Sequence, residues 1–346
     1  MIQCYDTKIR DVAVHFVGNK SNDAIVRCSK SLLTTNEDID YVLTDYFLKP
    51  FLKTEEQYQF FHDTNLKYNE VLNYVSEVFD NPESLLQQSI NLARHLYEQS
   101  AHPKIKGGEF YTVYFKDCII DGETADAVGL FKSENKDTFL KVFPQGEGFE
   151  IESEKGININ KLDKGCLIFN TERENGYIVA VVDNTNKGVE AQYWTDDFLN
   201  IRQRKDEYYN TQNLLSLCKN FVRNELPQQF DVSKADQIDL LNRSVQFFRE
   251  KDNFNLSEFA SEVIAQPDVI EKFNQYKSSY AQEYEVDFAD NFTISDSAVK
   301  KQARVLKSVI KLDKNVHIYI HGNREVVEQG EDGKGKYYKI YYKEEF

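Results

Sequence analysis

The spacing of apolar and polar residues changes character twice along this chain, and the changes mark out three stretches. Residues 9–18 and 24–33 are rich in β-branched residues and end near Gly18-Asn19 and Thr34-Thr-Asn-Glu37, which predicts two strands and then a helix start. Apolar residues at helical spacing predict helices over residues 37–51, 67–79 and 82–100. The first stops near Pro50, and the last opens at Asn81-Pro82-Glu83, a cap with proline at the first helical position. From Gly107 the pattern becomes short β-type runs at residues 110–120, 127–133, 137–143, 149–154, 165–169 and 177–182. Gly, Asn and charged clusters separate them, as turns separate the strands of an antiparallel sheet.

The cluster Asp183-Asn-Thr-Asn-Lys-Gly188 ends this series and places a domain boundary near residues 184–194, dividing the chain into 1–188 and 189–346. Beyond it, helical spacing recurs over residues 195–201, 207–225, 234–250, 256–264, 269–285 and 296–311. Pro227 and Pro267 fall between these segments, where helix breakers belong, and Asn255 and Ser295 stand as N-caps. The chain closes with two strand-like runs, 316–321 and 337–343, expected to pair across a loop rich in Gly and charge. The expected fold is α+β: a mixed N-terminal domain with an antiparallel sheet plus helices, then a mostly helical C-terminal domain ending in a β-hairpin.

Length and composition add bounds. A chain of 346 residues suits two domains, and 41% hydrophobic with 29% charged residues describes a soluble globular protein. No apolar run approaches the roughly 18 residues that span a bilayer. The first residues lack the basic-then-apolar order of a secretory signal, so a cytoplasmic protein without a membrane partner is expected. Five cysteines at 4, 28, 118, 166 and 218 fit neither a disulfide framework nor a metal knuckle, and Cys118 and Cys166 beside apolar runs read as buried thiols.

Charge changes the picture more. Residues 300–343 carry eleven Lys or Arg against five acids, a local charge of +6 in a chain of −15, which leaves −21 for the remainder. On the helix expected over 296–311, Val299, Ala303, Leu306 and Ile310 form the apolar stripe, and Lys300, Arg304, Lys307 and Lys311 line a flanking face. In the hairpin, Val316, Ile318 and Ile320 alternate with His317, Tyr319 and His321, while Tyr337, Lys339, Tyr341 and Lys343 share one face of the partner run. Rings that stack on bases and ammonium groups that follow phosphates suit single-stranded nucleic acid, and the helical cations suit duplex phosphates. The alternative is a solvated lysine face and a Tyr-rich edge hairpin whose lysines guard against aggregation. His317 and His321 find no acidic or Cys ligand at suitable spacing, so no metal site is expected.

Asp126, Glu134 and Lys136 have the residue types and sidedness of a metal-dependent nuclease: two carboxylates for a divalent ion and a lysine to assist water. Glu134-Asn-Lys-Asp137 equally reads as a polar turn between two strands. Neither a phosphate-cradling glycine loop nor a nucleophile elbow occurs, the histidines form no triad, and no cofactor is expected.

The run Lys106-Gly-Gly-Glu-Phe-Tyr111, then Gly129-Leu-Phe-Lys-Ser-Glu-Asn-Lys-Asp-Thr-Phe-Leu-Lys-Val142, resembles the bacterial nucleoid-associated protein family of the NdpA type. Gly156-Ile-Asn-Ile-Asn-Lys-Leu-Asp-Lys-Gly-Cys-Leu-Ile-Phe169 extends the likeness, with a weaker match around Ile310-Lys-Leu-Asp-Lys-Asn-Val-His317. The resemblance implies a cytoplasmic, nucleoid-associated protein that binds DNA without catalysis. It carries no catalytic residue over, and Lys132 and Lys136 in its motif are fold determinants as readily as DNA contacts. Net charge cannot supply the affinity of so acidic a chain. Binding would need a local patch, or a homodimer placing two patches side by side, and the acidic remainder could instead face basic protein partners. The expected function is therefore sequence-independent DNA binding through Lys300, Arg304, Lys307 and Lys311. Tyr337, Lys339, Tyr341 and Lys343 form a secondary surface. A metal-dependent nuclease or a protein-interaction scaffold that reaches DNA indirectly are the alternatives.

Overall fold

The computed structural model describes residues 2–4, 7–185, 193–305, 309–312, 315–319 and 327–344, and at 305, 309 and 311 only the backbone. Two compact units divide the chain, Met1–Arg204 and Lys205–Phe346.

The first unit is built on one antiparallel sheet. Its strands are β1 (Ile2–Gln3), β2 (Lys8–Val17), β3 (Val26–Cys28), β4 (Tyr58–Phe60), β5 (Gly108–Ile120), β6 (Glu123–Ser133), β9 (Lys164–Phe169), β10 (Ile178–Asp183) and β11 (Ile201–Gln203). Between β6 and β9 the chain makes a separate hairpin, β7 (Asp137–Gln145) with β8 (Gly148–Gly156). The sheet order is β11-β4-β10-β9-β6-β5-β2-β3, with β1 added beside β5. Asp121-Gly122 joins β5 to β6 with φ of 51° and 88°, the two-residue turn whose positive φ angles match strand twist.

Both faces of the sheet are covered, which explains why its central strands are nearly continuous apolar runs. Phe110, Tyr114, Val128, Leu130, Cys166 and Ile168 face the helices α2 (Glu70–Asp80) and α3 (Leu85–Gln99). Tyr111, Val113, Phe115, Phe131, Leu167 and Phe169 face α1 (Glu37–Leu48) and Phe51 beyond it. Cys118 and Cys166 are buried as expected, and burial pushes the Cys118 thiol up to about 12. The short strands β4 and β11 were not expected. Three residues give too little alternation to register, and Asn69 Nδ2, donating to the carbonyls of Phe61, Leu199 and Asn200 at 3.0–3.1 Å, ties their ends together.

The second unit is mainly helical: α4 (Glu207–Asn220), α5 (Leu226–Gln229), α6 (Lys234–Glu250), α7 (Leu256–Phe259), α8 (Pro267–Glu283) and α9 (Asp296–Val305). Ser233 and Asp236 form a capping box on α6, and Asn255 caps α7 as its position suggested. The core is dominated by rings, with Phe248 stacked on Phe254 and Phe254 on Phe292 at 5.3 and 4.9 Å. Two-stranded pairs complete the unit: β12 (Asn253–Asn255) with β13 (Asn291–Thr293), β14 (Val309–Leu312) with β15 (Val316–Tyr319), and β16 (Val327–Asp332) with β17 (Gly335–Ile340). The chain thus has the expected α+β organisation, ending in a hairpin. The pairing differs, however. The runs at 316 and 337 do not partner each other; each takes the strand immediately before it in sequence. Local closure of a short loop costs less chain entropy than bridging the longer one.

One buried titratable group in the first unit gives a pH test. His15 on β2 lies with Nε2 2.8 Å from Ser89 Oγ, while its Nδ1 accepts the Ser29 amide at 3.0 Å. The neutral Nε2–H tautomer satisfies both contacts, since Ser89 Oγ itself donates to the Leu86 carbonyl. Burial lowers the ring's pKa from 6.5 to about 4. The native value lies below the unfolded one, so this contribution is fully present above about pH 6.5 and is lost as pH falls toward 4. In urea unfolding, the stability gap between wild type and His15→Gln should narrow by up to about 3 kcal/mol between neutral pH and about pH 4. A gap that stays constant with pH would contradict the assignment.

Candidate nucleic-acid interface

Helix α9 places the first candidate cations. Ser295 opens it, its Oγ accepting from the Ala298 amide at 3.4 Å while its own amide donates to Thr211 Oγ1 at 3.0 Å. Ala298 and Val299 are buried, which turns Lys300 and Arg304 to the surface, both exposed. Four residues apart, their Cβ atoms stand roughly 6 Å from one another. Among the described residues neither has a carboxylate within ion-pairing distance. Lys301 is turned differently, its Nζ 5.5 Å from the centre of the Tyr208 ring.

The four-cation helical row does not form. Helix α9 is described over Asp296–Val305, and residues 309–312 are strand β14, so Lys311 is not on the helix. Ile310 meets the requirement of either period. It falls in a helical stripe with Val299, Ala303 and Leu306, and it alternates with Lys311 as in a strand. Burial settles the choice, because Ile310 packs with Ile238 and Val327. Lys311 therefore sits on a strand, opposite His317 in register, as Val309 is opposite Tyr319. His317 and Tyr319 are exposed, so this face of the β14–β15 hairpin presents His and Tyr outward. Lys307 lies outside the described residues, as does His321.

On the last hairpin, Tyr337 and Lys339 share the face expected for them, and Tyr341 follows just past the strand end. Their cationic character is partly spent. Lys339 opposes Glu328, with Nζ 3.7 Å from its carboxylate, and Tyr341 donates to that carboxylate at 2.8 Å. The Lys339 ammonium also lies 4.8 Å from the Tyr341 ring centre. Tyr337 covers Gly330, where an added Cβ would fall within 2.4 Å of the ring. Lys343 is exposed beyond the strand. An open cleft of about 660 Å³ beside β16 is lined by Asp231, Glu328 and Glu331 with Lys336, a predominantly acidic wall unsuited to phosphate.

The other candidate constellation disperses. Asp126 and Glu134 are eight residues apart along an extended chain, roughly 26 Å. Asp126 accepts from Tyr114 at 2.8 Å and pairs with Lys116 at 2.6 Å, and Lys136 pairs with Glu109 at 2.5 Å. Among the described residues no three His, Cys, Asp or Glu side chains are placed to hold a metal ion.

What the motif builds instead is a buried ionic network that the spacing of Glu134 and Lys136 did not suggest. Lys132 on β6 and Lys164 on β9 stand opposite each other in register, both with fully buried side chains. Lys132 Nζ lies 3.0 Å from Glu134 and donates to the Lys106 carbonyl at 2.8 Å; Tyr193 donates to the same Glu134 oxygen at 2.6 Å. Lys164 Nζ reaches Asp183 and Thr185, each at 2.7 Å. Asp163 accepts the amides of Glu134 and Asn135 at 2.7 and 2.8 Å, pinning the turn that follows β6. Burial pulls the Lys132 ammonium below its usual range, with Glu134 opposing the shift. Burial foremost, and then Glu134, raises Tyr193 far above the ordinary phenol range, so its hydroxyl stays a neutral donor. The one available signal was the alternation of Lys132 and Lys164 with strongly apolar neighbours on strands buried on both faces.

The described residues thus offer a buried ionic core, carboxylates engaged with separate partners, and exposed cations that include Lys300 and Arg304 on α9. The family described as nucleoid-associated protein YejK matches residues 13–334, and the chain belongs to that family, whose role is association with the nucleoid. A search of curated proteins finds no match.

Removing one partner from the network leaves an uncompensated buried charge. Lys132→Ala should therefore cost about 3–5 kcal/mol in denaturant unfolding. Lys136→Ala, at a half-exposed pair a few residues away, should cost about 1 kcal/mol or less. Equal effects of the two would contradict the reading of this network.

Proposed function

We propose that this chain is a non-enzymatic nucleoid-associated protein that binds DNA largely independently of sequence, through phosphate contacts at Lys300 and Arg304 of α9, with Lys307 and Lys311 following them. The observation that carries the reading is the pair of exposed cations on one helix turn, without carboxylate partners among the described residues, on a chain of net charge −15. An acidic protein repels duplex DNA over most of its surface, so a local cationic face decides both where and in which orientation it docks. The exposed His317 and Tyr319 of β14–β15 add ring surface, which suits stacking on unpaired bases. Tyr337, Lys339, Tyr341 and Lys343 serve as a secondary surface, weakened by Glu328. Family membership supports the nucleoid as the site of action and supports a role without catalysis. The nuclease alternative lacks support, since Asp126 within β6 and Glu134 just after it are engaged with different partners.

Phosphate contacts have a measurable signature. Each neutralised phosphate contributes about 0.9 to the slope of log affinity against log salt on duplex DNA. In fluorescence anisotropy, Lys300→Gln with Arg304→Gln should lower the slope by about 2 and weaken binding uniformly across sequences. An unchanged slope and affinity would remove the assignment. Plasmid held with Mg²⁺ or Mn²⁺ should remain uncut; cleavage lost in Glu134→Ala would favour the nuclease instead.

A further inference from the structure

The β7–β8 hairpin carries an apolar surface that no described residue of the first unit covers. Antiparallel register places Leu140, Val142 and Pro144 opposite Ser153, Ile151 and Phe149, all on one face. Leu140 is 71% exposed, Val142 60%, Phe149 74% and Ile151 66%. Glu150, Glu152 and Glu154 share the other face with Phe139, Phe143 and Lys141, which pairs to Glu154 at 2.6 Å. An isolated two-stranded hairpin is marginal in water, and one that shows its apolar face to solvent along its whole length gains stability from a partner.

We infer that this face is a self-association surface, on which a second copy of the chain packs its own β7–β8 hairpin, antiparallel and related by a two-fold axis near the Val142–Ile151 pair. Layout and charge both favour this occupant. Rows along the face run from Thr138 and Lys155 at the base, through Leu140 with Ser153, Val142 with Ile151, and Pro144 with Phe149, to the turn bearing Glu147. Reversing the order about the middle row sets Phe149 of one copy over Leu140 and Ser153 of the other. The same operation brings the Glu147 turn beside Lys155, so each end of the contact pairs opposite charges, and the three glutamates point away into solvent. Four side chains about two-thirds exposed, with Pro144, present roughly 500 Å² of apolar surface, the size at which a patch on a monomer is commonly functional. Covering it on both copies removes roughly 1,000 Å², the lower end of specific interfaces, which fits a dimer that dissociates on dilution.

Other occupants fit less well. The hairpin carries Asp137, Glu147, Glu150, Glu152 and Glu154 against Lys141 and Lys155, which disfavours nucleic acid and anionic membrane surfaces alike. A basic protein partner would seek the glutamate face and leave the apolar one bare.

Sedimentation velocity of the full chain across a wide concentration range tests the inference. Wild type should pass from monomer to dimer with concentration. Ile151→Lys should raise the dissociation constant about tenfold or more, with unchanged circular dichroism and unfolding midpoint. If the added charge perturbs folding, Ile151→Ser makes the same test. Glu147→Lys should weaken the dimer, and Glu147→Lys combined with Lys155→Glu should restore it. Wild type that stays monomeric at its highest soluble concentration would overturn the inference. So would Ile151→Lys that associates as wild type does, or a charge-swapped double variant no better than Glu147→Lys alone.

Discussion

The buried pairing of two lysines with carboxylates at the centre of the sheet is the constraint on which the first unit depends. Lys132 and Lys164 face each other across β6 and β9, and each ammonium is satisfied within hydrogen-bond distance. Such an arrangement is weak evidence for high stability, because desolvation offsets much of the attraction, yet it is intolerant of half-measures. It dictates register: a one-residue slip of β9 against β6 would send Lys164 to the opposite face of the sheet, among Phe131 and Leu167. It also reaches across sequence, since Glu134 follows β6, Asp163 precedes β9, Asp183 ends β10 and Tyr193 lies between β10 and β11. Lys132, Glu134 and Lys164 are thus accounted for by folding chemistry.

Much of the architecture could be read from periodicity and punctuation. The long strands β2, β5 and β6, helices α2 and α3, and the capped helices α6 and α7 follow from alternation, helical spacing and Asn or Ser caps. Elements that escaped did so for physical reasons. β4 and β11 are three residues each and owe their existence to partners distant in sequence. Around Ile310 both periods fit, and only the tertiary burial against Ile238 decides for a strand. Pairing of the terminal runs was misread because alternation identifies a strand without naming its partner. The candidate site was accordingly half visible: Lys300 and Arg304 stand as expected, while Lys311 belongs to a different element.

Charge then links structure to role. Several cations elsewhere are paired, as in Arg173–Asp80, Lys251–Glu258 and Lys277–Asp290, which reduces their share of any long-range attraction. Under the proposed function, a polyanion would dock at Lys300 and Arg304 of α9, which have no carboxylate partner among the described residues. The acidic β7–β8 hairpin lies in the other unit, and its proposed use is self-association. A dimer would double the number of cationic faces per particle, which raises avidity for a long polymer without any new contact.

Hydrogen exchange measured by mass spectrometry, with and without duplex DNA, tests the central claim most directly. Segments from β6 and β9 should be among the slowest to exchange and should not change when DNA is added. Segments spanning residues 296–312 should become protected, and that protection should fade as salt rises. DNA-dependent protection confined to the sheet of the first unit, with residues 296–312 unaffected, would contradict the account.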